Sequence, residues 1–186
     1  MKVNLENKKV LLTGASGGIG KALSEKFIIN GAKLIFTSSS NNKLDELKNL
    51  YGDMHSYYLL DLSKTENLID NVKNIRENNK DIDIIINNAG IAKTMPMRGL
   101  KDEDWDWIHE VDLKGMMRVC RAAAPKMRKA KSGSIVCLSS IAGYAVGWDK
   151  HVPYSAAKGG IAGFVKGLAI ELAPDKIRVN GIAPGL

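Results

Sequence analysis

Short apolar runs alternate along this chain with longer stretches in which apolar positions recur every three or four residues. The runs Lys9–Thr13, Lys33–Thr37, Ser56–Leu60, Ile82–Asn87, Ser134–Ser139 and Arg178–Ile182 read as strands. Most are nearly continuous rather than alternating, as suits parallel strands buried on both faces. Between them, Gly18–Asn30, Asn42–Tyr51, Thr65–Asn78, Asp102–Lys129 and Tyr154–Ala173 carry helical periodicity. Repeated strand–helix–strand units predict an α/β fold with a doubly wound parallel sheet. Residues 1–186 are expected to form one domain, since no linker, repeat or low-complexity segment divides them. The chain ends at Ala183-Pro184-Gly185-Leu186, directly after a strand, where such a sheet feeds a loop and helix. The expectation is therefore that these residues are only part of the protein.

Composition narrows the class. Apolar residues make up 45% and charged residues 25%, as in globular domains. No apolar run approaches the roughly 20 residues that span a bilayer. The N-terminal MKVNLENKKV has no signal-peptide core, so a cytoplasmic protein without membrane attachment is expected. Cys120 and Cys137 lack metal-ligand spacing; both read as reduced core residues, and no metal site is expected. The net charge of +7 is concentrated in residues 91–186, which hold 15 Lys/Arg against 9 Asp/Glu. These basic residues are scattered and lack interleaved aromatics, which argues against nucleic acid and leaves a phosphorylated cofactor or an acidic partner.

Thr13-Gly14-Ala15-Ser16-Gly17-Gly18-Ile19-Gly20 follows the first strand and opens the first helix. Glycines let the backbone approach a ligand closely, and the helix N-terminus offers unpaired N–H groups to a pyrophosphate. The second strand ends at Phe36-Thr37-Ser38-Ser39-Ser40 with no acidic residue to bind the adenosine ribose, so NADP(H) is favoured over NAD(H). Lys43 and Lys21 are the nearest basic candidates for a 2′-phosphate. Asp61, followed by Leu62, either meets the adenine amino group or caps the next helix.

Tyr154-Ser155-Ala156-Ala157-Lys158 sets a tyrosine and a lysine four apart on one helix face. A free phenol titrates near 10, too high for an efficient base, and a nearby ammonium favours the phenolate. Ser140 stands fourteen residues earlier at the C-terminal end of a strand, the edge where parallel sheets bind ligands. The bland alternative for Ser139 and Ser140 is turn chemistry. His151 is placed on a loop near the substrate, Trp105 and Trp107 are read as packing residues, and Trp148 as either a pocket wall or a structural residue.

Thr13-Gly14-x-x-x-Gly18-x-Gly20, Asn87-Asn88-Ala89-Gly90, the serine ahead of Tyr154-x-x-x-Lys158, and Pro184-Gly185 together resemble the short-chain dehydrogenase/reductase family, from about Leu5 to Leu186. The resemblance implies a Rossmann-type sheet and an NAD(P)-dependent oxidoreductase that interconverts a carbonyl and a secondary alcohol. By it, Tyr154 is the acid/base, Ser140 positions the carbonyl, and Lys158 holds the nicotinamide ribose and tunes Tyr154. Asn88, Ala89 and Gly90 would line the cofactor and steady the central strand, while Pro184 and Gly185 pass beside the nicotinamide. Gly14, Ser16, Gly18, Ile19, Gly20, Ser38, Ser39, Asp61 and Leu62 complete the expected cofactor site.

Met97-Arg98 and Lys101-Asp102-Glu103-Asp104-Trp105 resemble the 3-oxoacyl-[acyl-carrier-protein] reductase branch. There the basic run Lys126, Arg128, Lys129, Lys131 would meet an acidic acyl carrier protein, although Asp175 stands at that branch's second basic docking position. The plainer reading of the run is a solvated helix end. Small-molecule carbonyl or acyl-thioester substrates fit the resemblance, and so does a polyol, sugar or hydroxysteroid-type dehydrogenase. A non-catalytic dinucleotide-binding regulatory protein is the reading from another class. Gly159, Gly160, Gly163 and Gly167 cost helix stability and imply close approach of another surface; with the family's habit, they predict a homodimer or homotetramer. Three departures stand out. Asp112 occupies the family's fourth catalytic position, usually asparagine; Gly17 replaces an arginine common in NADPH-using members; and, by the resemblance, the sheet lacks its last strand and C-terminal region, with the family's substrate-covering loop and the threonine shortly after Pro-Gly absent from these residues.

Overall fold

The computed structural model describes residues 3–185; Met1, Lys2 and Leu186, the last residue of the matching stretch, lie outside them. Six parallel strands form one sheet: β1 (Lys9–Leu12), β2 (Lys33–Ser38), β3 (Ser56–Leu59), β4 (Ile84–Asn87), β5 (Gly133–Leu138) and β6 (Ile177–Ile182). Their order is β3-β2-β1-β4-β5-β6, so the winding reverses between β1 and β4. This is the doubly wound Rossmann-type arrangement.

Side chains alternate across the pleat. Leu11, Ile35, Ile85 and Ile135 meet one helical layer, made by α3 (Leu68–Asn78), α5 (Met116–Ala130) and α7 (Val152–Leu172). Val10, Leu12, Leu34, Phe36 and Ile86 face the other, where Leu23 and Phe27 of α1 (Gly18–Ile29) and Leu47 of α2 (Asn41–Tyr51) pack. Both faces of the central strands are thus dry, which is why their sequence lacks a polar alternation.

The helical periodicity misplaces three boundaries. α3 begins at Leu68 rather than Thr65, because Asp61 closes a separate turn: its Oδ1 accepts from the Ser63 amide at 3.0 Å and the Ser63 hydroxyl at 2.7 Å. Asp61 therefore does not cap that helix. The stretch expected as one helix over Asp102–Lys129 is α4 (Asp102–His109), a π-helical turn (Glu110–Gly115) and α5. The turn accommodates one extra residue and seats Gly115 where a Cβ would lie 2.8 Å from Leu62 Cβ. Finally, α7 starts at Val152, with Pro153 in its first turn, where a missing N–H costs nothing.

Two features had no sequence signal. A one-turn helix, α6 (Ile141–Tyr144), follows β5, and Met95 forms an isolated parallel bridge with His151. The Met95 amide donates to the Lys150 carbonyl at 2.7 Å, fastening the loop after β4 to the loop before α7.

Candidate active site

The crevice opens where β1 and β4 send their chains apart. Gly14 follows β1 at φ +62°, and a Cβ there would lie 2.7 Å from Ala89 Cα after β4. Gly20 is equally constrained, since its Cβ would meet the Gly14 carbonyl oxygen at 2.5 Å. Thr13 ties the two loops: its hydroxyl oxygen accepts from the Asn88 and Ala89 amides, each at 3.1 Å. The Asn88 side chain donates to the carbonyls of Thr13 (3.1 Å) and Gly14 (2.9 Å). Asn88 thus fastens the glycine loop to β4, and Thr13, which the sequence marks only as the head of the glycine motif, joins the two loops from the end of β1.

The resulting cleft of about 620 Å³ gathers Gly14, Ser16, Gly18, Ile19, Gly20, Ser38, Ser39, Asp61, Leu62, Asn88, Ala89 and Gly90. Lys43 lines it as well, whereas Lys21 does not. Trp107, expected only to pack, forms part of the cleft wall with Lys93 Nζ 5.8 Å from its ring centre. The N-terminus of α1 opens into this cleft with no side-chain cap on Gly17 and no acidic residue in its first turn. A backbone cradle that glycines keep open, ending in uncapped amides, fits the pyrophosphate of a dinucleotide.

A second cavity of about 300 Å³ shares Ile19, Asn88, Gly90 and Ile91 with the first. It brings together Ser140, Tyr154, Lys158, Pro184 and Gly185, with Trp148 on its wall. The Ser140 oxygen accepts the Ala142 amide at 3.1 Å, capping α6 and leaving its hydroxyl proton for the cavity. Ser139 also lines this cavity, with its hydroxyl donating to the Lys158 carbonyl at 2.7 Å. The Pro184 carbonyl accepts the Ile141 amide at 3.1 Å, which fixes the last described residues beside Ser140.

Lys158 is buried on α7, its Nζ 5.6 Å from the Tyr154 ring centre and 3.1 Å from the Leu138 carbonyl, to which it donates. Trp148 meets Tyr154 edge-on at 5.5 Å and stacks flat on His151 at 3.7 Å. His151 is itself buried, with Nδ1 2.7 Å from the Asp149 carbonyl. It therefore braces Trp148 from behind.

Asp112 does not line either cavity. It lies buried behind Gly90, with Oδ1 accepting the Ile91 amide at 2.8 Å and Oδ2 3.3 Å from Lys158 Nζ. Burial pushes its carboxyl above the usual aspartate range, against the opposing pull of Lys158 and the Ile91 amide. Cys120 and Cys137 are both free and buried, each facing the Asn87 amide nitrogen, at 3.2 Å and 3.6 Å respectively.

The tightest contact around α7 belongs to Gly143 of α6. A Cβ there would sit 2.4 Å from the Gly159 nitrogen and 2.6 Å from the Lys158 carbonyl carbon. This one-turn helix therefore rests directly on the backbone of the Tyr154–Lys158 segment.

The sequence model of the short chain dehydrogenases matches residues 8–186. The 3-oxoacyl-[acyl-carrier-protein] reductase FabG of Escherichia coli is 36% identical over 183 residues, covering 98% of this chain and 75% of that protein. The FabG of Thermotoga maritima is 37% identical over 187 residues, with the same coverage. Among solved structures, a short-chain dehydrogenase from Streptomyces avermitilis superposes with a TM-score of 0.90 at 30% identity, covering 97% of this chain and 66% of that one. A variant of ElxO with NADPH bound gives 0.89 at 29% identity, covering 97% and 74%. The chain belongs to the short-chain dehydrogenase/reductase family, and as such is an NAD(P)-dependent oxidoreductase.

Proposed function

We propose that this chain is an NADP(H)-dependent reductase of 3-oxoacyl thioesters, acting in the cytoplasm. The observation that carries the reading is the meeting of Ser140, Tyr154 and Lys158 in one cavity that opens onto the nucleotide cleft. A dinucleotide held along the cleft by Gly14, Gly18, Gly20 and Asn88 would supply or accept a hydride there. Ser140 donates its free hydroxyl proton to the substrate oxygen, and Tyr154 gives that oxygen a proton during reduction or removes one during oxidation. Lys158 supports Tyr154 electrostatically and presents a donor to the cofactor ribose. Trp148, held by His151, excludes water from the substrate side.

The FabG relatives support the thioester substrate. The electrostatics of the basic run refine how a carrier protein would dock. Arg128 is ion-paired with Glu171 and Asp175, and Lys131 with Asp175. Docking would fall to Lys126 and Lys129, which have no ion-pair partner among the described residues. Acetoacetyl thioesters, assayed with NADPH beside sugars and cyclic ketones, are expected to be the best substrates. Lys129→Glu should raise KM for the carrier-bound thioester by roughly tenfold and leave a small thioester unaffected. No thioester reduction at all would transfer the chain to the polyol, sugar or hydroxysteroid-type dehydrogenases.

The cofactor preference rests on Ser38 and Ser39 at the end of β2, with Lys43 beside them in the cleft. Ser39→Asp places a carboxylate where the 2′-phosphate would lie. It is expected to move the NADPH-to-NADH affinity ratio by roughly tenfold or more toward NADH, read by fluorescence titration. We also propose a homodimer or homotetramer, formed across the groove between α5 and α7 that Ala124, Phe164 and Leu168 line.

A further inference from the structure

The Asp112–Lys158 pair is the one buried ion pair among the described residues, with side-chain exposures of 0% and 5%. A buried carboxylate without compensation is costly, so its position calls for a physical reason. Oδ1 is satisfied by the Ile91 amide, while Oδ2 faces the ammonium at 3.3 Å without a directed hydrogen bond. Gly90 leaves room for the approach: a Cβ there would lie 2.9 Å from Lys158 Nζ and 3.3 Å from Asp112 Oδ2. An ammonium carries three N–H donors. The Leu138 carbonyl takes one at 3.1 Å, the Asp112 carboxylate attracts a second, and the third is left for the cavity that Lys158 lines.

We propose that Asp112 is a positioning residue whose ionised carboxylate holds Lys158 with its remaining donor turned toward the cofactor site. The proposal rests on the oxidoreductase reading and adds a second titrating group to the working state of the lysine. The groups that face the pair are His109 from the last turn of α4, Cys137 from β5 and Tyr154 from α7; the loop after β4 contributes the Ile91 amide. Because burial raises the Asp112 carboxyl, the pair exists above that raised value and is lost as pH falls through it. The loss comes at a higher pH than for an exposed aspartate.

Nucleotide binding tests this without turnover. Fluorescence titration with NADH, which has no 2′-phosphate to titrate, would be run from about pH 5 to about pH 8. Wild-type affinity is expected to fall by roughly tenfold toward acid. Asp112→Asn should bind several-fold more weakly at pH 8 and show no such acid limb. Asp112→Ser, which keeps an oxygen for the Ile91 amide without a charge, serves if the asparagine variant does not fold. An acid limb that persists unchanged in both neutral variants assigns the titration to another group and overturns the proposal. A wild-type affinity that is flat across the range does the same. No nucleotide binding at any pH would overturn the oxidoreductase reading as well, whereas failure of the thioester assay would leave this test standing.

Discussion

Tyr154→Phe is expected to lower kcat by roughly 10²- to 10⁴-fold while nucleotide affinity stays essentially unchanged. The substitution removes one hydroxyl and keeps the ring. The ring's contacts, edge-on to Trp148 at 5.5 Å and packed with the cluster of Met95, Ile108 and Ala157, survive it. Any loss therefore reports the proton that the hydroxyl moves rather than a collapse of the cavity. Steady-state rates at saturating NADPH, set beside fluorescence titration of the same sample, separate the two. A variant that turns over at the wild-type rate would show that Tyr154 is not the proton-transferring group.

Gly143→Ala should be nearly as damaging, although the residue contributes no functional group. Its new methyl would overlap the Gly159 nitrogen and the Lys158 backbone at 2.4–2.6 Å. Those atoms belong to a helix backbone that cannot swing aside as a flexible side chain would. Overpacking of this kind costs about 1–3 kcal/mol, read as a lower midpoint in urea unfolding. The strain is relieved by moving α6 away from α7, and α6 begins at the Ser140 cap. A displacement of about 1 Å between Ser140 and Tyr154 would cost roughly 10²-fold in kcat. Unaltered turnover would mean that α6 does not set the distance between the two groups.

These two residues differ in how they could be read from sequence. Tyr154 is legible as a candidate because the proposed proton transfer calls for its type, and its spacing to Lys158 follows from the helical repeat. The requirement at Gly143 arises only when α6 folds back onto α7 across the loop between them, so no local pattern marks it. The same distinction runs through the fold. The continuous apolar runs of β1, β2 and β5 announced themselves, and the reversal of winding followed from the alternation of elements. The π turn did not, since one extra residue in a long amphipathic stretch barely disturbs its periodicity. Asp112 stood out as an unexpected residue type. Its burial against Lys158 depended on that turn and on the bare backbone of Gly90, neither of which the sequence displays. Trp107 reads as packing because an aromatic beside an acidic helix start carries no local sign of the cleft that the fold brings next to it.

The central position of β1 has a consequence for how the chain is made. β1 pairs with β2 through Val10 and Leu34, neighbours in sequence by strand standards, and with β4 through Val10 and Ile84. During synthesis β1, β2 and β3 emerge first, and β1 then presents an unpaired apolar edge until β4 leaves the ribosome. Such an edge is a template for pairing between nascent chains. Docking of β4 closes it, and the same event brings Ala89 against Gly14 and completes the phosphate cradle. Dinucleotide in the cell would therefore stabilise the growing chain only after that step, as a ligand that rewards β4 for having inserted.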